Sequence, residues 1–167
     1  LQKAFPRAEV IHGDIRKAET IKQIMQYIGL IDFLHASIAC QPSSTAAKKH
    51  DKNDPRLVYG TIVMYIAAIV RPRIMVVEDV PASMHNQVDK YEELKNDMRQ
   101  CFDHYDEVVF NALHAMVPQN RKRLAMIGTT GVDIAHGLEA VERQRKALDK
   151  KVATYPTVAQ ALDGGAR

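Results

Sequence analysis

Apolar residues recur along this chain in two rhythms, short dense runs and longer stripes at three- and four-residue steps. The runs predict strands and the stripes predict helices. Glu9-Val10-Ile11 reads as a short strand closed by the turn His12-Gly13-Asp14, and a helix is expected from about Glu19 to Ile28, with Gly29 placed to end it. Ile31 to Ser37 is a second, buried strand. It stops at the corner Cys40-Gln41-Pro42, and a long polar loop from Ser43 to Asp54 follows. Leu57 to Val70 is apolar nearly all round, as a buried helix would be. Arg71-Pro72 stops it, and Ile74 to Val77 reads as a buried parallel strand.

Tyr91, Leu94, Met98 and Cys101 form the stripe of an amphipathic helix. Val108-Val109-Phe110 and Leu124-Ala125-Met126-Ile127 are short strands on either side of a basic segment, Gly128 to Gly131 is a turn, and a charged helix runs from about His136 to Lys151. Thr154 to Arg167 reads as a linker with one short helix, capped by Thr157 with Gln160 three residues on. Helices alternating with strands predict an α/β fold with a mostly parallel sheet.

Composition narrows the class. The 167 residues are 46% hydrophobic and 26% charged, which predicts one soluble globular domain that buries roughly 70% of its unfolded surface. The longest apolar run, Leu57 to Val70, is about 14 residues and is interrupted by Gly60, too short to span a bilayer. No secretory signal opens the chain. The two cysteines, Cys40 and Cys101, are far apart and point to a reducing compartment rather than a disulfide framework. A net charge of +3 and a pI near 8.9 permit contact with nucleic acid without requiring it.

Candidate chemistry starts at Cys40, a thiol presented at the carboxyl end of a strand, where ligands collect in open α/β sheets. A thiol there acts as a nucleophile once a neighbour raises its thiolate fraction; a small buried hydrophobe is the competing reading. Glu78 closes the next buried strand, as a proton donor or as a surface carboxylate. Val117-Pro118-Gln119-Asn120-Arg121-Lys122-Arg123 then clusters a Gln and two Arg, or is simply a solvated basic turn. Thiol, carboxyl and paired guanidinium groups are a sensible set for chemistry on a nucleobase.

Together these stretches resemble the DNA (cytosine-5) methyltransferase family, whose signatures are Pro-Cys-Gln, Glu-Asn-Val and Gln-x-Arg-x-Arg. They match, in order, Ala39-Cys40-Gln41, Glu78-Asp79-Val80 and Gln119-Asn120-Arg121-Lys122-Arg123, and the resemblance runs from Phe5 to about Leu162. It implies a Rossmann-like, S-adenosylmethionine-dependent methyltransferase fold. It makes Cys40 the nucleophile that adds to cytosine C6 and Glu78 the acid that protonates ring N3. Arg123 would contact the pyrimidine O2, while Gln119 and Arg121 support the active-site loop and the DNA. Gln41 and Ser44 fall among the substrate and DNA contacts. Asp14 and Ile15 match the pair that contacts the adenine of S-adenosylmethionine, although a plain helix N-cap competes for Asp14. Asp54-Pro55-Arg56 resembles the family's Asp-x-Arg segment, with Leu57-Val58-Tyr59 in place of its usual Gly-Thr-Leu.

The departures are also specific. Ala39 stands where the family nearly always has Pro, and Asp79 replaces the Asn of Glu-Asn-Val, setting a second carboxylate beside Glu78. No Gly-rich turn follows a first strand. The resemblance therefore implies an incomplete fold: residues 1–152 as part of a catalytic domain and 153–167 as a linker toward a target-recognition domain not seen here. The unpaired sheet edges of such a fragment predict self-association or a second chain supplying strands.

No His-Glu-x-x-His, zinc-spaced His pair or Cys-x-x-Cys is present, so no metal site is expected. Gly-x-Ser-x-Gly is absent as well. The run Arg143-Gln144-Arg145-Lys146, broken by Glu142 and Asp149, reads as a solvated helix face. The resemblance thus implies methylation of a flipped cytosine in DNA, as in a bacterial or phage restriction-modification system working in the cytoplasm. Methylation of tRNA by the same chemistry, and a catalytically impaired fragment that binds a partner chain, are the alternatives.

Overall fold

In the computed structural model, which describes residues 6–40, 54–115 and 117–151, the chain is built around β2 (Ile74–Asp79). Its β-branched run suits a pleated strand with neighbours on both sides. On one side β1 (Phe33–Ser37) pairs with it in parallel, from Phe33 opposite Ile74 to Ser37 opposite Glu78. On the other side lies β4 (Lys122–Thr129), antiparallel, and beyond it β3 (His104–Asn111), antiparallel to β4. The sheet order is β1-β2-β4-β3.

The expected mostly parallel sheet is therefore corrected in one respect. β1, β2 and β3 run the same way, but β4 is inserted in reverse, so one pairing is parallel and two are antiparallel. The connection explains the reversal: only residues 112–121 join β3 to β4, enough for a hairpin return but short of a helical crossover. The same insertion lengthens both strands beyond their apolar centres. The ladder recruits His104, Asp106 and Glu107, whose polarity conceals a strand from the sequence.

One face of the sheet carries the helical layer. In α2 (Tyr59–Val70), Val63, Met64 and Ala67 face inward, and from α4 (Val88–Cys101) Tyr91, Leu94 and Met98 meet them over Met75, Val77, Leu124 and Met126. Four methionines in this core, two from the helices and two from the sheet, fill irregular space between the two layers. Phe102 lies flat on β4 at Gly128, where an added Cβ would stand 2.5 Å from its ring. α2 is less enclosed than its composition predicts: Tyr65 is 58% exposed. Its entry is a 3-10 turn (Pro55–Val58) capped by Asp54, whose carboxylate accepts from the Arg56 amide at 2.9 Å. Arg71, at φ 51°, ends the helix ahead of Pro72.

α1 (Ala18–Ile24) runs into a 3-10 turn (Met25–Tyr27), and Gly29 at φ +75° closes the segment as expected. The strand expected at Glu9-Val10-Ile11 does not form. β1 is the edge of the sheet, and residues 8–12 run as irregular backbone with Val10 42% exposed. α3 (Ser83–Asn86) is a short addition between β2 and α4. Cys101 ends the α4 stripe in an exposed position.

Glu107 ties α4 to β3. It accepts from Tyr91 Oη at 2.6 Å, Tyr105 Oη at 2.9 Å and Lys95 Nζ at 3.2 Å. Burial pushes its carboxyl up, but these donors outweigh burial and hold it below the usual range. The charged helix is present as α5 (Ala135–Lys151). The linker expected over 153–167, with its Thr157 cap, lies outside the described residues.

Candidate active site

The reversal of β4 gathers the site. The carboxyl ends of β1, β2 and β3 lie along one rim of the sheet, and β4 enters at that same rim. Residues that leave three strands therefore meet those that open the fourth. Side chains along a strand alternate between faces. Met75, Val77 and Asp79 point into the helical layer, whereas Glu78 stands on the opposite face beside Ser37 and Arg123.

Cys40 follows the end of β1 and is half-buried. The Ile38 amide donates to Glu78 O at 3.4 Å, so the chain stays alongside β2 for one residue past the strand. With Ile15, Ser37, Ile38, Ala39, Tyr59 and Val63, Cys40 lines an open cleft of about 460 Å³. The predicted nucleophile and one predicted cofactor residue, Ile15, thus share one cleft. Ile15, Tyr59 and Val63 give it largely apolar walls.

Asp14, just outside that cleft, is held by Arg16. Nε lies 3.0 Å from each Asp14 oxygen and Nη2 at 2.6 Å, while the Arg16 amide adds a fourth bond at 2.9 Å. This grip lowers the Asp14 carboxyl to about 2. Lys17, not Asp14, occupies the N-cap of α1, which removes the capping alternative. The Arg16 guanidinium lies over the Tyr59 ring, 5.7 Å from its centroid, so the Asp14–Arg16 pair buttresses a wall of the cleft. Asp54 and Arg56 repeat the arrangement at the start of α2.

Glu78 is held at both oxygens. Arg123 Nε lies 2.5 Å from Oε1, and Ser37 Oγ donates to Oε2 in a short hydrogen bond. The pair is mostly withdrawn from solvent, with Glu78 at 22% and Arg123 at 16% side-chain exposure. Arg123 is fixed further by Nη1 donating to Lys122 O at 2.8 Å.

The two arginines part company here. Arg121 precedes β4 and is exposed, and its amide donates to Asn111 Oδ1 at 3.1 Å. Gln119 lies in the same exposed link, beside the Asn111–Asn120 side-chain bond. Gln41 and Ser44 lie outside the described residues. Ser37 and Tyr59 were not expected as site residues. Ser37 stands out only once the β1–β2 register places it directly opposite Glu78, and Tyr59 only once the start of α2 is set against Cys40. Among the described residues no group of three or more His, Cys, Asp or Glu side chains could hold a metal ion.

Asp79, the departure beside Glu78, is buried at 7% exposure and faces a cavity of about 40 Å³ shared with Ile38, Ala39, Ser83 and Gln87. Burial pushes its carboxyl up, partly offset by hydrogen bonds from the Val80 amide and Ser83, while the neighbouring Glu78 adds to the rise. A raised folded-state value means that protonated Asp79 favours the fold. That contribution is complete below the unfolded value and is lost as pH rises through the folded one. Asp79→Asn is therefore expected to raise the midpoint of thermal unfolding at pH 8 by about 2–4 °C, roughly 1 kcal/mol, with the gap closing toward pH 4. Thermal scans of both proteins across that range check it; a gap independent of pH would show that the charge is not the cause.

A model of the C-5 cytosine-specific DNA methylases matches residues 1–164. The Type II methyltransferase M1.BsuMI of Bacillus subtilis (strain 168) is 29% identical over 115 residues, 68% of this chain and 27% of that protein. M.HhaI of Haemophilus parahaemolyticus is 34% identical over 100 residues, 58% of this chain and 30% of that protein. Among solved structures, the Entamoeba histolytica methyltransferase EhMeth superposes with a TM-score of 0.59 at 21% identity, over 78% of this chain and 41% of the other. A DNA modification methyltransferase encoded within an Escherichia coli prophage gives 0.58 at 21%, over 81% and 36%. The structural likeness shows a shared fold, and the chain spans less than half the length of each of these relatives.

Proposed function

Because the chain belongs to the family of C-5 cytosine-specific DNA methylases, we propose that it transfers a methyl group from S-adenosylmethionine to C5 of a cytosine flipped out of duplex DNA. The observation that carries this reading is that Cys40 and Ile15 line one cleft, at the rim where Glu78 and Arg123 are paired. Cytosine C5 is a poor nucleophile until a thiolate adds at C6. In this reading the Cys40 sulfur forms that bond and Glu78 delivers a proton to N3, so the ring becomes an enamine whose C5 attacks an electrophilic methyl. Loss of the C5 proton then expels the thiolate and restores aromaticity.

Arg123, already fixed against Glu78, would hold the pyrimidine O2, where charge gathers as the ring is attacked. Ile15, Tyr59 and Val63 would enclose the adenine of S-adenosylmethionine, with Asp14 and Arg16 bracing Tyr59; the cofactor supplies the methyl group. Arg121, Gln119, Gln41 and Ser44 would face the DNA. Residues 1–152 then act as part of a catalytic domain, and 153–167 lead toward target recognition. The open edge of β1 offers a place for a further strand, from this chain or a second one. In keeping with relatives named as Type II methyltransferases, we place the reaction in a bacterial or phage restriction-modification setting in the cytoplasm. Among the described residues no helix is long and apolar enough to cross a membrane.

Duplex DNA carrying 5-fluorocytosine tests the proposal, because fluorine at C5 cannot leave as a proton and the reaction halts after methyl transfer. The expected result is a protein–DNA adduct that survives denaturant and forms only with S-adenosylmethionine present. Trapping on tRNA in place of DNA would move the substrate to RNA, and no trapping on either would remove the enzyme reading.

A further inference from the structure

We propose that Ser37 is a positioning residue that acts through Glu78, aiming one carboxyl oxygen at the cleft of Cys40 throughout proton transfer. The inference deepens the reaction proposed above and rests on it.

The β1–β2 register sets Ser37 directly opposite Glu78, on the sheet face away from the helices. Serine has a single side-chain torsion before its hydroxyl, so the strands themselves place Oγ against Oε2. Arg123 holds the other oxygen, Oε1, at 2.5 Å and is itself tied to Lys122 O. A carboxylate gripped only by a guanidinium turns readily into a two-point fork with it. That turn would carry Oε2 toward β4, away from β1. Ser37 holds it back, and Ser37 lines the same cleft as Cys40.

The chemistry of the hydroxyl suits this post. A guanidinium only donates, whereas a hydroxyl both donates and accepts. Ser37 can give its proton to the Glu78 carboxylate and accept one from the carboxylic acid, so the contact survives in both states of a residue that hands over a proton. Alanine offers neither. Threonine offers both and suits a strand.

The expected effect is therefore selective. Ser37→Ala lowers kcat for methyl transfer about tenfold, with KM for DNA and for S-adenosylmethionine unchanged, while Ser37→Thr stays near the parent rate. In a Glu78→Gln background, Ser37→Ala has no further effect on rate, as a residue acting only through Glu78 requires. Equal losses in the alanine and threonine variants, additive losses with Glu78→Gln, or an alanine variant at full rate would each overturn the role. Ser37 is exposed and outside the core, so unfolding midpoints confirm that the variants are folded. A parent protein that neither traps 5-fluorocytosine nor transfers methyl groups would instead refute the underlying reaction, and this role with it.

Discussion

Cys40→Ala is expected to abolish the 5-fluorocytosine adduct and to lower methyl transfer by roughly 10³-fold or more, about 4 kcal/mol of barrier. The magnitude follows from the chemistry: without a sulfur at C6 the ring never becomes an enamine, and among the described residues no other group in the cleft is a comparable nucleophile. Ser37 reaches the same space but donates to Glu78, and a neutral hydroxyl is far weaker than a thiolate. The fold should be untouched, because Cys40 lies beyond the end of β1 and outside the hydrophobic core. Cys101 supplies the control. It lies at the far end of α4 in a separate cleft with Arg71, Phe102 and Thr130, so Cys101→Ala keeps both adduct and rate. An adduct that persisted in Cys40→Ala and vanished in Cys101→Ala would reverse the assignment. Gel mobility after denaturation and tritium transfer from labelled cofactor read both results.

Arg123→Ala is expected to lower kcat/KM by roughly 10²- to 10³-fold, the range for removing one group aimed at charge that develops in a transition state. Two losses coincide. The pyrimidine would lose its O2 partner, and Glu78, mostly withdrawn from solvent, would keep its hydrogen bond from Ser37 but lose the guanidinium. Arg123→Lys should recover only part of the rate, because an ammonium cannot grip Oε1 and reach the backbone at Lys122 with one planar fork. Arg121→Ala behaves differently. Its exposed position in the β3–β4 link predicts a change of about threefold or less in kcat, with weaker DNA binding and a shallower salt dependence. Steady-state rates at two salt concentrations separate the two arginines; equal losses in kcat would show that both reach the base.

Much of this was legible in the residues. Dense apolar runs bounded by Gly29, Arg71-Pro72 and Gly131 marked an apolar segment of each of the four strands and the long helices. Both predicted reactive groups fall at the ends of such runs, Cys40 after β1 and Glu78 near the end of β2. Local pattern carries that information because a strand or helix must bury an apolar face wherever it ends up. Pattern also misled at Glu9-Val10-Ile11, where strand-like residues have no strand beside them, and it hid half of β3, whose polar residues extend only because β4 pairs with them.

Residue pattern alone specifies the alternation of elements, the core stripes and the order in which thiol, carboxyl and guanidinium appear. The tertiary structure alone decided which of them meet. The reversed insertion of β4 brings Arg123 rather than Arg121 to Glu78, the parallel register puts Ser37 opposite that carboxyl, and one step along β2 sends Asp79 into the core while Glu78 faces out. The physical reason is that successive residues of a strand point to opposite faces. A partner strand's direction and register, set by contacts remote in sequence, therefore decide which side chains share a site.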